Sequence, residues 1–176
     1  GLTHALSEEI CNYYHRKKQT ECINIRLSNS FGEPVFSDAK CWNLIVNELT
    51  RSAFLNKKIV LKGDGSPIRD FIHYSDICKT INSLIENKLN KENTFHLSSS
   101  KSRTMLDVAI EVRNVYYNIY GEEIPIYINS NEKLDDFRIS NNNSQLISNK
   151  LIKVYSGNKY KNFTEGINDL FNYLEN

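Results

Sequence analysis

The sequence predicts an α/β domain, because segments with the alternating pattern of strands are interleaved with segments whose apolar residues recur at helical spacing. The connections between them are short enough for one compact unit, which fits a chain of 176 residues. No internal repeat interrupts this order. Strands are expected at 22–27, 59–61, 94–97 and 124–128, and helices at 3–18, 42–55, 76–87, 105–120 and 164–174.

Each helix is predicted from an apolar stripe. Leu6 and Ile10 fall on one face of the first helix, and Ile167 and Leu170 fall on one face of the last. The strands are short runs that are either apolar throughout or alternate between apolar and polar residues. The connection at 29–40 contains a glycine and a proline, and it is predicted to be a loop.

Capping residues set the limits of the third and fourth helices. Asp76 is expected to be the N-cap of the third helix. Thr104 and Asp107 have the spacing of a capping box for the fourth helix, which Gly121 is expected to end. After the strand expected at 124–128, the sequence from 129 to 149 becomes polar, and a loop with one short helix at 144–148 is expected. The apolar face expected on the fourth helix consists of Leu106, Ile110, Val115 and Ile119.

Composition excludes several classes of function. The chain has 22 basic and 21 acidic residues, and this near-neutral balance gives no reason to expect a nucleic-acid-binding surface. No apolar run reaches the roughly 20 residues that a membrane-spanning helix needs. The four cysteines lack CxxC spacing and therefore predict neither a zinc site nor a disulfide framework, which favours a cytoplasmic protein without a metal.

The turn that contains Gly63 and Gly65 is the strongest local signal for a site, because it is followed at once by Arg69 and Asp70. Two interpretations are open. The guanidinium of Arg69 could bind a phosphate with paired, charge-assisted hydrogen bonds. Alternatively, Arg69 and Asp70 form an ordinary surface ion pair. His73 follows on an alternating apolar strand and is predicted to be a buried, hydrogen-bonded histidine rather than a catalytic one.

Four segments carry a resemblance to a known family and cover roughly the first hundred residues. They read GLTHALSE at 1–8, RLSNSFGEP at 26–34, GDGSPIRDFIHYSD at 63–76 and FHLSSS at 95–100. In this order they resemble the C-terminal half of the extended short-chain dehydrogenase/reductase family. That family includes UDP-glucose 4-epimerase, nucleotide-sugar dehydratases and related sugar-nucleotide reductases.

The resemblance implies the C-terminal part of a Rossmann-type fold with a small mixed α/β substrate-binding domain. Residues 1–32 would be the last elements of the NAD(P)-binding domain, and 33–176 would be mainly the substrate-binding domain. NAD or NADP would bind the full-length parent and not this fragment alone. The sequence Gly63-x-Gly65 precedes a proline and lacks the third glycine of a dinucleotide-binding fingerprint.

The resemblance also assigns substrate-binding residues. Asn29 and Arg69 would contact the diphosphate of a nucleotide sugar. Asn43 and Leu44, at the start of a helix, would offer it backbone N–H groups, which favour anions. Lys133 would stand where the family has a second phosphate-binding arginine. The ordinary alternatives are that Asn29 stabilises a loop, Asn43 caps a helix and Lys133 is a solvated charge.

Two positions depart from the family pattern. The resemblance places the catalytic tyrosine immediately before Gly1, so this chain alone is expected to lack the acid–base group and to be inactive. His4 stands at the position of the family lysine that binds the nicotinamide ribose. A neutral imidazole can still hydrogen-bond a ribose, but it supplies no permanent positive charge near pH 7.

The function implied is that of the substrate-binding half of an NAD(P)-dependent sugar-nucleotide epimerase or dehydratase, acting in the synthesis of sugars for cell-surface polysaccharides. The partners implied are a nucleotide-diphosphate sugar, the missing N-terminal half and a second copy in a homodimer, with no nucleic acid and no membrane. The alternatives are a sugar-nucleotide reductase, a degenerate module that binds without chemistry, and a scaffold domain in which the motifs are coincidental.

Overall fold

The fold was analysed in a computed structural model that describes residues 1–36, 38–86, 93–129, 132–134 and 160–176. Five helices are present among these residues: α1 Leu2–Arg16, α2 Ile45–Asn56, α3 Tyr74–Glu86, α4 Met105–Tyr120 and α5 Phe163–Glu175. The strands are β1 Asn24–Leu27, β2 Asn29–Phe31, β3 Ile59–Val60, β4 Ile68–His73, β5 Thr94–Leu97, β6 Ser102–Thr104, β7 Ile126–Ile128 and β8 Glu132–Lys133. The short helix predicted at 144–148 lies outside the described residues.

The strands form three small sheets, in which parallel pairing predominates. β1 pairs in parallel with β5, and β3 pairs in parallel with β7, which is joined by the antiparallel strand β8. In the third sheet β4 lies in the centre, parallel to β2 and antiparallel to β6. The predicted α/β class is therefore confirmed. No described helix has both the length and the apolar character needed to cross a membrane.

Three predicted boundaries were wrong. The segment 29–40 is not entirely a loop, because its first three residues form β2 beside β4. α2 begins at Ile45 rather than at Trp42, since a turn occupies the residues before it. α3 begins at Tyr74, so Asp76 is not its N-cap but a buried residue of its first turn, where a carboxylate oxygen accepts the Lys161 N–H at 2.9 Å.

The capping residues of α4 were predicted correctly. Thr104 Oγ1 accepts the N–H of Asp107 at 3.0 Å, and the Asp107 carboxylate accepts the N–H of Thr104 at 2.9 Å. Gly121 ends the helix in the left-handed conformation with φ 67°. The predicted apolar face was wrong in part, because α4 packs against both α2 and α5. The residues it buries are Val108, Ala109, Val112, Val115 and Tyr116.

The main core lies where α2, α4 and α5 pack together against the ends of β2 and β4. Its largest buried side chains include Phe31, Leu49, Tyr116 and Phe171. A smaller core, under α3 and the β1–β5 sheet, contains Ile72, Ile77, Leu84, Phe95 and Leu97. The two cores adjoin at β4, where Phe71 belongs to the first and Ile72 to the second.

Helix α1 is amphipathic, as predicted, but it buries none of its residues within this chain. Leu6 is 55% exposed and Ile10 is 59% exposed. Polar contacts hold the helix to β1: the carboxylate of Glu8 accepts three hydrogen bonds from Arg26, with the shortest N···O distance 2.6 Å. The apolar stripe of α1 is therefore available to other protein surface.

We expect Gly166→Ala to destabilise the fold, because Gly166 lets α5 approach β2 and β4 closely. A Cβ atom at this position would lie 2.7 Å from the ring of Phe31 and 2.8 Å from that of His73. Overpacking of this kind costs about 1–3 kcal/mol. The free energy of unfolding, measured by urea titration, should fall by that amount. Gly63→Ala is the control, since a Cβ there meets nothing within 4 Å; equal effects of the two would contradict the packing argument.

Candidate functional site

The candidate site is built on β4, whose alternation separates Arg69 from Asp70. The strand follows a turn in which the Asp64 carboxylate accepts the Ser66 N–H at 3.0 Å and its hydroxyl at 2.8 Å. Since successive side chains of a strand point to opposite faces, Arg69 is exposed while Asp70 is buried. The two side chains are thus directed to different surroundings.

Asp70 is only 2% exposed, and its carboxylate holds the turn between β5 and β6. It accepts hydrogen bonds from the Ser99 N–H and hydroxyl, both at 2.8 Å, and from the Lys101 N–H at 2.9 Å. Between these donors Ser100 adopts the left-handed conformation with φ 61°. The surface ion pair between Arg69 and Asp70, one of the two interpretations of this segment, is therefore not formed.

The structure brings Arg69 and Asn29 to the same face of one sheet. Asn29 of β2 pairs with Phe71 of β4, and Arg69 lies two residues before Phe71 on that face. The Asn29 amide donates a hydrogen bond to the backbone carbonyl of Asp70 at 3.0 Å. One nitrogen of the Arg69 guanidinium donates to the carbonyl of Ile68 at 2.7 Å.

A cavity of about 410 Å³ opens beside this sheet, at the end of β4. Three aromatic rings and three basic side chains contribute to its lining: Phe31, Phe71, Phe163, Lys101, Arg103 and Lys161. The guanidinium carbon of Arg103 lies 4.4 Å from the centre of the Phe163 ring. A partly apolar cleft with a few polar groups at its rim is the usual form of a small-molecule site.

His73 forms the inner wall of the cavity and is 2% exposed. Its Nδ1 accepts the N–H of Ser75 at 3.2 Å, so the neutral ring carries its proton on Nε2, which lies 3.2 Å from a carboxylate oxygen of Glu33. Burial lowers the pKa of His73 below its ordinary value of 6.5, although Glu33 opposes that shift. His73 is the buried, hydrogen-bonded histidine that the sequence predicted.

The side chains of Glu33, His73 and Asp169 have potential ligand atoms within 4.8 Å of one another, but their hydrogen bonds favour an ion-pair network over a metal site. A metal on Nε2 would have to replace the hydrogen bond between His73 and Glu33. The ammonium of Lys161 already pairs with the Asp169 carboxylate.

The other predicted site residues lie elsewhere. Asn43 is exposed in the turn before α2, and Leu44 is the extended N-cap of that helix. The Leu44 N–H donates to the Cys41 carbonyl at 3.2 Å, so a ligand would have to replace that bond. Lys133, on β8, lines a different cavity of about 430 Å³ with Arg113. His4 is exposed on α1.

Sequence analysis missed two features of the site. Asn47, which is fully buried in α2, makes two hydrogen bonds with the backbone of Gly32. Its Oδ1 accepts the Gly32 N–H at 3.2 Å, and its Nδ2 donates to the Gly32 carbonyl at 2.8 Å. The sequence did contain a signal, because a polar residue within the apolar stripe of a helix is buried and needs a hydrogen-bond partner. Arg103 was also missed, because its position opposite Arg69 depends on the pairing of β6 with β4.

The comparisons with known proteins identify the family. A sequence model of the NAD dependent epimerase/dehydratase family matches residues 1–97, which is more than half of the chain. The chain belongs to this family. The resemblance to extended short-chain dehydrogenases/reductases is thereby confirmed. A comparison with curated protein sequences found no significant match.

Solved structures of family enzymes share the fold. UDP-N-acetylglucosamine 4-epimerase from Methanobrevibacter ruminantium M1, in complex with UDP-N-acetylmuramic acid, superposes with a TM-score of 0.69 at 20% identity, covering 97% of this chain and 51% of that chain. UDP-glucuronic acid 4-epimerase from Bacillus cereus, in complex with UDP-glucuronic acid and NAD, gives 0.66 at 16% identity, with coverages of 96% and 49%.

A third similar structure belongs to a dehydratase. dTDP-glucose 4,6-dehydratase from Bacillus anthracis, in complex with NAD, gives a TM-score of 0.66 at 18% identity, with 96% of this chain and 49% of that chain covered. The chain thus spans about half the length of these solved structures. At these identities the likeness establishes the fold and not the substrate.

We expect Asp70→Asn to lower the free energy of unfolding by about 2–4 kcal/mol, because an amide offers only one oxygen to three donors and turns an NH₂ toward the others. Thermal and urea unfolding would measure the loss. Asp64→Asn is the matched control, since the Asp64 carboxylate also accepts hydrogen bonds within a turn, but an exposed one. A loss at Asp70 no larger than at Asp64 would show that the turn does not depend on the buried carboxylate.

We expect the free energy of unfolding to decrease as the pH falls below about 6.5, the ordinary pKa of histidine. The lowered pKa of His73 means that the unfolded chain binds a proton in a range where the folded chain does not, so acid favours unfolding. His73→Gln keeps hydrogen-bonding groups without titrating and should flatten this slope. Urea unfolding between pH 7.5 and 5.5 would test it; identical slopes would exclude His73 as the source.

Proposed function

We propose that this family member is the C-terminal, substrate-binding half of an NAD(P)-dependent sugar-nucleotide epimerase or dehydratase. It would bind a nucleotide-diphosphate sugar and act in the cytoplasm on sugars destined for cell-surface polysaccharides. The observation that carries the proposal is the sheet face that Arg69 shares with Asn29, where no described acidic residue forms an ion pair with Arg69. Arg69 also pairs across β4 and β6 with Arg103, which lines the cavity, and an arginine without an acidic partner in such a place favours an anionic ligand.

The chemistry of the site supports a diphosphate as that anion. A guanidinium group presents a planar set of donors that matches two phosphoryl oxygens, while the amide of Asn29 can donate to a third. The ligands named in two of the similar structures, UDP-N-acetylmuramic acid and UDP-glucuronic acid, differ in their sugars and share the diphosphate. Binding through that shared group leaves the sugar free to be selected by other residues.

The cofactor would be bound chiefly outside this chain. Gly63 and Gly65 belong to a turn that precedes β4, and β4 leads directly into α3. The described residues contain no glycine-rich loop that joins a strand to a helix in the way of a dinucleotide-binding site. NAD or NADP, when bound to the full-length protein, would supply reversible hydride transfer at a sugar carbon. Within this chain His4 is the residue proposed to hydrogen-bond the nicotinamide ribose.

The division of the chain follows from the same proposal. Residues 1–32 would complete the nucleotide-binding domain, and 33–176 would form mainly the substrate-binding domain. A parallel sheet of two strands, such as β1–β5, is ordinarily part of a wider sheet covered on both faces. The exposed apolar stripe of α1 supports a further contact with the N-terminal half of the enzyme or with a second subunit.

A second candidate function is a module that binds a sugar nucleotide without turning it over. What favours it is His4, a histidine at the position where the resemblance expects the family lysine, since an imidazole lacks the permanent charge of a lysine. Turnover of any sugar nucleotide by the full-length protein with NAD would exclude this candidate.

The decisive experiment is a calorimetric titration of the full-length protein, with NAD, against UDP-, dTDP-, GDP- and CDP-sugars. We expect Arg69→Ala to weaken binding of the preferred sugar nucleotide by about 1.5 kcal/mol or more, as for a lost charged hydrogen bond. Arg51→Ala is the control, because Arg51 belongs to α2, where it lies 5.3 Å from the centre of the Trp42 ring and lines no part of the cavity. Unchanged affinity in Arg69→Ala would refute the assignment of the site.

A further inference from the structure

Two arginines face each other across the strands that build the site. β4 and β6 are antiparallel, and Arg69 pairs directly with Arg103 in their register. Directly opposite residues of an antiparallel pair have Cβ atoms about 4.5–5.5 Å apart on the same face of the sheet. Like charges in this arrangement are destabilising unless an anion lies between them.

The described residues do not neutralise this pair. Neither arginine forms an ion pair with a described Asp or Glu. The nearest acid in sequence, Asp70, is buried on the other face, where it binds the turn at Ser99. Arg69 has one contact, with the carbonyl of its own neighbour Ile68. Among the described residues, most of the guanidinium donors of the pair therefore have no acceptor.

Other charges around the cavity reinforce this conclusion. Lys101 lies two residues before Arg103, lines the same cavity and has no ion pair with a described acid. Of the acidic groups nearby, Asp169 pairs with the Lys161 ammonium, Asp76 lies 4.0 Å from the Lys79 ammonium, and Glu33 is hydrogen-bonded to His73. The rim formed by β4 and β6 therefore carries unbalanced positive charge.

Arg103 is also held in an orientation suited to binding. Its guanidinium stacks on Phe163 at 4.4 Å, and this contact restricts the side chain before any ligand arrives. A restricted side chain loses less conformational entropy when it binds. Stacking through the face of the guanidinium leaves the N–H groups at its edge free to donate.

We propose that Arg103 binds the substrate together with Arg69, each guanidinium holding one phosphoryl group of the same diphosphate. The inference rests on the proposed function and adds to it a residue and a ligand requirement. A ligand with one phosphoryl group could engage only one arginine fully, whereas a diphosphate engages both and removes their repulsion. Lys133 is less well placed for this role, because it lies on another sheet at another cavity.

The test uses the full-length protein with NAD and compares a nucleoside diphosphate with its monophosphate, for example UDP with UMP or dTDP with dTMP. We expect Arg103→Gln to weaken diphosphate binding at least tenfold, and monophosphate binding at most threefold. In the double variant with Arg69→Gln, the fold-loss of diphosphate affinity should be smaller than the product of the fold-losses in the two single variants, because the two groups share one ligand. Arg51→Gln should leave both affinities unchanged.

The outcomes separate the inference from the proposed function. If Arg69→Gln weakens binding and Arg103→Gln behaves like Arg51→Gln, the inference fails while the proposed function stands. If neither variant weakens binding, both fail. Should Arg103→Gln not fold, Arg103→Lys keeps the charge and the alkyl contact with Phe163 but not the paired donors. It should melt like the wild type without ligand and bind the diphosphate at least threefold more weakly, and equal binding would overturn the inference.

Discussion

The buried carboxylate of Asp70 is the constraint on which the candidate site depends. It satisfies three donors of the turn between β5 and β6, and so fixes the start of β6 beside β4. Without that turn, the pairing that sets Arg103 opposite Arg69 would have no fixed register. Because the Asp70 side chain lies on the opposite face of β4 and binds that turn, it does not pair with Arg69. One residue thus supports both the fold and the chemistry of this strand.

The helices position the site by close packing. α5 comes near enough to β2 and β4 only because Gly166 lacks a side chain, and Phe163 then reaches both the aromatic core and Arg103. On the other side, Asn47 of α2 forms two hydrogen bonds with the backbone of Gly32, just after β2. The cavity is therefore bounded by rigid elements rather than by loops alone, and rigid surroundings reduce the entropic cost of binding.

The apolar stripe of α1 is not covered by the rest of the described chain. The cores under α2, α4 and α5 and under α3 are closed, whereas Leu6 and Ile10 remain in solvent. The chain spans about half the length of the solved structures it resembles. Val35, Phe36 and Ile85 are exposed as well. Under the proposed division, residues 1–32 would belong to the nucleotide-binding domain, and another part of the enzyme would cover the stripe of α1.

The sequence by itself determined the α/β class, the main helices and strands, the capping box at Thr104 and the family, because these depend on local spacing and on short motifs. Tertiary structure alone decided which face of α4 is buried, that the Asp70 carboxylate binds the turn between β5 and β6, and that Arg103 lies opposite Arg69. Each of these results from strand pairing or helix packing between distant segments, and no local pattern encodes which segments will meet.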